Sequence, residues 1–164
     1  MQNAKDTFYT TLQGRLAALN PARTMVLRGV VRPSTLVDEN ELPTASVAPD
    51  AFHLEWTGLR VDSSAALPLV ALECSIRYAT DGSAGAAGMD RGRSLAAMDA
   101  ELAAALGAEP HSAPKQSYAG ATVTTTGTNI FWADPVFGPA TQDGERLQRT
   151  VTVSVFANQE AGEL

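Results

Sequence analysis

The run Leu147-Gln148-Arg149-Thr150-Val151-Thr152-Val153-Ser154-Val155-Phe156-Ala157 constrains the fold more than any other part of the chain. Leu147, Val151, Val153 and Val155 fall on one parity, and Gln148, Thr150, Thr152 and Ser154 on the other. A period of two is the mark of a strand with one face on a core and one toward water, as in an antiparallel sheet. The rest of the chain must therefore supply strands to flank this one and helices to cover its apolar face.

Two segments have the periodicity of such helices. Phe8, Leu12, Leu16 and Leu19 recur every three to four residues and predict a first helix, with Asp6 or Asn3 as its cap. Asn20-Pro21 ends it, and Lys5, Gln13 and Arg15 are expected to face water. Leu95, Met98, Leu102 and Leu106 form the stripe of a second helix from about Asp90, its N-cap, to Leu106, with Gly107 as terminator. Strands are expected over 23–31, Phe52–Asp62 and Pro68–Ala79, with a bulge at Gly58 and a hairpin joining the last two. Thr122–Thr126 reads as a marginal strand, and 108–118 as a polar passage. The expectation is one α+β domain over 1–164: an antiparallel or mixed sheet of about five strands with two helices packed on one face. A long loop at 32–51 and a frayed acidic tail at 158–164 complete it.

Composition narrows the partners. With 45% hydrophobic and 18% charged residues, the chain has enough apolar mass for a core. A net charge of −6, with twelve scattered Lys and Arg, argues against specific nucleic-acid binding. No apolar run approaches the roughly 18 residues of a membrane span, and no leader-like start is present.

Motifs for chemistry are sparse. Cys74 sits within an apolar strand and reads as a buried small hydrophobe. His53 and His111 lie far apart and in no ligand spacing; His53 falls on the polar side of its strand and reads as a surface residue. Glu55 and Glu73 would be outward strand residues, or a carboxylate pair if they met across the hairpin. The acidic cluster Asp38-Glu39-Asn40-Glu41 lacks the glycine and terminal Glu of a calcium loop. Gly82, Gly85 and Gly88 give G-x-x-G-x-x-G, which is neither nucleotide fingerprint, and no strand follows the second helix to complete a βαβ unit. No metal, cofactor or catalytic group is expected.

Two features suggest contacts with other chains. Phe131 and Trp132 are adjacent on a strand, so their rings must point to opposite faces; one enters the core and the other needs a second partner. Arg91 and Arg93 open the second helix, where the helix dipole disfavours cations, so carboxylates of an adjacent chain are candidate partners. The candidate subunit interface is thus Arg91, Arg93, Phe131 and Trp132.

The opening Asp6-Thr7-Phe8-Tyr9-Thr10-Thr11-Leu12 with Leu16-Ala17-Ala18-Leu19-Asn20-Pro21 resembles the first helix of small tail-completion proteins of long-tailed phages and prophages. Asp90 to Leu102, Thr128 to Pro135 and Arg146 to Phe156 extend the resemblance along most of the chain. It implies a tail terminator-like, non-enzymatic structural protein located in the virion tail, and in the host cytoplasm during assembly. Such subunits form a ring, usually a hexamer, that caps the tail tube and joins it to the head. The implied partners are further copies of the chain, the tail tube protein, and a head-completion or neck protein. The alternative is a monomeric bacterial interaction or small-molecule-binding domain, with nucleotide at Gly82–Gly88 as its enzymatic version.

Overall fold

The computed structural model describes residues 1–39, 47–160 and 163. Chain order is α1 (Gln2–Leu19), β1 (Thr24–Leu27), β2 (Val30–Pro33), β3 (Thr35–Val37), β4 (Phe52–Asp62) and β5 (Leu69–Thr80), then α2 (Arg91–Gly107). The remaining strands are β6 (Ser112–Ser117), β7 (Thr124–Trp132), β8 (Val136–Phe137), β9 (Thr141–Asp143) and β10 (Arg146–Asn158). The main sheet runs β3-β4-β5-β10-β7-β6, and β8 and β9 also pair with β10. It is mixed: β3 joins β4 in parallel, and the other pairs are antiparallel.

The alternating run is the spine of this sheet. β10 pairs with β5 from Leu147↔Thr80 to Asn158↔Leu69. Its other flank is shared by β7, β8 and β9 in turn. Val151, Val153, Val155 and Ala157 of β10 and Val70, Leu72, Cys74, Ile76 and Tyr78 of β5 are buried on the face that α1 and α2 cover. The helices bring Phe8, Leu12 and Leu16, and Leu95, Met98, Leu102 and Leu106, into the same core. Both helices lie on one face, as the periodicity predicts. Gly58 does mark a bulge, between Trp56 and Gly58, and β4 and β5 do pair antiparallel.

The sheet has eight strands where about five are expected, because segments read as connectors pair with it. Within the expected loop at 32–51, Ser34 to Val37 are buried and β3 lies beside Phe52–Leu54. Residues 40–46, which hold part of the acidic cluster, lie outside the described residues. The polar passage contains β6, whose outer edge is met by α1. The Gln116 N–H donates to Thr7 Oγ1 at 2.9 Å, so a helix side chain satisfies a sheet edge that would otherwise invite pairing.

The first expected strand is instead a hairpin outside the main sheet. Arg28 (φ 50°) and Gly29 (φ 80°) both take left-handed backbone, the geometry a two-residue turn needs to match strand twist.

Several local expectations are corrected. Helix α1 starts at Gln2 with no side-chain cap; Asp6 accepts from Gln2 and the Asn3 carbonyl from Thr7. Leu19 is exposed. Arg15 does not face water: its guanidinium donates to the carbonyls of Ala105 (3.0 Å), Ala108 (2.7 Å) and Pro110 (2.8 Å). It thereby caps the electronegative C-terminus of α2. Asp90 precedes α2 without bonding its N–H groups; its carboxylate accepts from the Ser83 N–H at 3.0 Å.

Candidate assembly surface

The aromatic pair divides as the pleat requires. Trp132 is 5% exposed. Its indole N–H donates to the Leu106 carbonyl at 3.0 Å, filling one of the acceptors a helix end leaves open. Phe8 meets the ring edge-on at 5.8 Å, Arg15 lies 4.9 Å from its centroid, and the His111 ring stacks at 6.3 Å. Phe131 points the other way and is 46% exposed. In register it faces Phe156 on β10, and Ala71 on β5 continues the row. Farther along the same edge, Val136 is exposed opposite Thr152. Between them, in the 133–135 link, the Asp134 side chain is 89% exposed, and Glu109 close by is 81% exposed. Both carboxylates lie just under 4 Å from His111. The outer face near the end of β7 thus carries an apolar strip beside acidic groups.

The arginine pair is split. Arg91 forms an ion pair with Glu145 of the same chain, so the carboxylate expected from a neighbour comes from the β9–β10 turn. Arg93 is exposed. The structure brings Phe131 and Trp132 together only as opposite sides of one strand, and Arg91 and Arg93 lie away from them at the start of α2.

The glycine-rich loop is closed on its own side chains. Gly82 (φ 70°) and Gly88 (φ 75°) occupy left-handed backbone, and a Cβ at Gly88 would lie 2.3 Å from the Arg91 guanidinium. The Gly82 and Ser83 N–H groups donate to Thr80 Oγ1 and Asp90 Oδ1. The hydrogen bond from Ser83 holds the Asp90 carboxyl below its usual range. A phosphate would have to displace that carboxylate.

Other singled-out residues also settle locally. His53 is buried, against expectation, because residues before β4 cover its outer side: the Ala48 N–H donates to His53 Nε2 at 3.1 Å, and Asp38 lies 3.7 Å from Nδ1. Glu55 and Glu73 do not pair. Glu55 stands opposite Ser75, while both Glu73 oxygens accept from the Ser154 hydroxyl. Cys74 is buried, and burial pushes its thiol up, away from the thiolate form. Among the described residues, no group of three or more His, Cys, Asp or Glu could hold a metal ion.

Two features escaped the sequence reading. The β1–β2 hairpin carries Val26 and Val31 directly opposite each other, 66% and 67% exposed. The Arg28-Gly29 dipeptide is the signal that would have found it. The second is Lys115 on β6, which has no exposed surface. Its ammonium donates to the Asn158 carbonyl and to Glu163, each at 2.6 Å, with Glu160 at 3.7 Å. The acidic end of the chain, expected to fray, thus supplies the counter-ions of a buried cation. Only its late position and acidity hint at this.

No family profile matches the chain, and no curated protein matches it. Among solved structures, it overlaps a chain of the virion of a native gene transfer agent particle at 12% identity and a TM-score of 0.43. The overlap covers 95% of this chain and 98% of that one. A likeness at that level carries no argument about function.

Proposed function

We propose that this chain is a structural assembly subunit of a phage-like tail, in which copies close into a ring that caps the tail tube and joins it to the head or neck. The observation that carries the reading is the set of large apolar side chains outside the core on both sides of the sheet. Phe131 and Val136 lie at one end of the strand order, and the Val26/Val31 hairpin lies at the other. Scattered exposed apolar residues are ordinary, but a hairpin with a bare valine pair needs something to pack on. A ring needs two different patches on each subunit, which these supply. The similarity of Asp6–Pro21, Asp90–Leu102 and Arg146–Phe156 to tail-completion proteins supplies the setting. The subunit works by binding, without catalysis or cofactor. Its partners are six copies of itself, a tail tube protein and a neck or head-completion protein, in the virion tail.

The test is the mass of the purified chain by light scattering, alone and mixed with preformed tail tubes from the same gene neighbourhood. A six-fold mass, or capping of tube ends seen by electron microscopy, is the expected result. A chain that stays monomeric at millimolar concentration and leaves tubes uncapped overturns the reading.

A further inference from the structure

We infer that the β1–β2 hairpin docks on the Phe131–Asp134–Val136 strip of a second copy of this chain, with Arg28 of one copy placed against Asp134 of the next. This rests on the proposal that the chain self-associates, and it adds which surfaces meet.

Start with the hairpin. Its faces differ: Val26 and Val31 share one face with Thr24 and Pro33, while Met25, Leu27, Val30 and Arg32 share the other. The second face is held to the helices. Arg32 bonds the Tyr9 hydroxyl of α1 and the Thr35 carbonyl. At the base, Arg23 pairs with Glu101 of α2 at 2.7 Å. The Val26/Val31 face meets nothing comparable, and two strands alone are marginal in water. At the tip, Arg28 is exposed and forms no ion pair among the described residues. The hairpin therefore presents an apolar pair with a free cation, on a chain whose net charge is −6.

The strip has the opposite character. Phe131 and Val136 are apolar, and Asp134 and Glu109 are the exposed charges beside them. The competing apolar end of the β4–β5 hairpin, with Leu59 and Val61, brings Arg60 instead, which would repel Arg28.

The two surfaces cannot meet within one chain. The hairpin joins directly to β3 at one edge of the sheet and is tied to the helices. The strip is on the outer face at β7 and β8, with β4, β5 and β10 between. Different patches at opposite ends of the strand order give a head-to-tail contact, which closes into a ring when the rotation allows. Charge placement then sets register and direction.

Charge reversal and re-pairing tests this on the full chain. Arg28→Asp keeps a residue that tolerates the left-handed backbone at that position, and Asp134→Arg changes an exposed link residue, so both should fold. Self-association is followed by sedimentation velocity, with circular dichroism confirming fold. Each single variant is expected to weaken association at least about tenfold, and the double variant to recover most of it. Val26→Ser with Val31→Ser should weaken it as well. If the wild-type chain associates but the single variants do so equally, or the double variant is no better than the singles, the docking inference is overturned while the assembly reading stands. A wild-type chain with no association at any concentration overturns both.

Discussion

Neighbouring residues on β7 give the sharpest separation of stability from assembly, through the paired variants Trp132→Ala and Phe131→Ala. A Trp side chain buries roughly 200 Å², worth about 5 kcal/mol as an upper bound on transfer alone. Measured large-to-small changes in cores fall at about 3–5 kcal/mol. Trp132→Ala also strands the Leu106 carbonyl and removes the edge contact from Phe8. Together these give a loss of about 4 kcal/mol. At about 3 °C per kcal/mol for a chain of this size, the melting temperature should fall by about 12 °C. Phe131 is nearly half exposed and leans on Phe156 across the ladder. Its truncation should cost about 1 kcal/mol or less. The assay is urea unfolding followed by far-ultraviolet circular dichroism, which needs no tryptophan signal, alongside sedimentation of the folded variants. Phe131→Ala should keep its fold and lose self-association. If Phe131→Ala destabilised the chain as much as Trp132→Ala, the assignment of one ring to the core and the other to a partner would be refuted.

Two further outcomes follow from the chain's end. Lys115→Met should cost about 1 kcal/mol, since Glu160 and Glu163 can return to water, whereas Glu163→Ala should cost about 3 kcal/mol by leaving a buried ammonium short of a counter-ion; equal costs in urea titrations would contradict that asymmetry. The second outcome concerns acid. The Thr128 hydroxyl pulls the Glu160 carboxyl from 4.5 to about 2. Hydrogen bonding from Arg146 lowers Asp81, and burial of Glu101 is outweighed by its hydrogen bonds from Arg23 and Asn20. Carboxyls depressed in the folded state stabilise it above their unfolded values, and that contribution is lost as pH falls through the folded ones. The urea midpoint should therefore drop between about pH 4.5 and 2, and Glu160→Gln should flatten that drop; an unchanged slope would remove Glu160 from the account.

Much of this fold is legible where apolar periodicity is local. The stripes of α1 and α2, the Gly58 bulge and the parity of β10 all follow from spacing that short-range sterics and burial impose. What escaped depends on distant partners. β6 reads as polar because its one inward charge, Lys115, is neutralised by residues more than forty positions later. His53 reads as a surface group because parity cannot tell that Ala48 and Asp38 return to cover the second face of β4. The hairpin turn was hidden because arginine rarely takes left-handed backbone, so Arg28-Gly29 lacks the Asn-Gly look of such turns. For the candidate surface, sequence could say that the two rings diverge. Which one turns inward was decided by Phe8, Arg15 and the open Leu106 carbonyl, none of them near in sequence.

The place of β10 bears on when the subunit becomes competent. The strand at the centre of the sheet is among the last parts of the chain to be synthesised. Until Val151, Val153 and Val155 leave the ribosome, the inner side of β5 has no permanent neighbour on that flank. At 5–20 residues per second, the interval between completing β5 and completing β10 is roughly 4–16 s. A nascent or prematurely ended chain therefore holds its first half in an unfinished state, and the β7 and β8 edge that presents Phe131 and Val136 has nothing to be laid against. Translation to the end becomes a proofreading step, because only a finished polypeptide can display the strip on which another copy would settle.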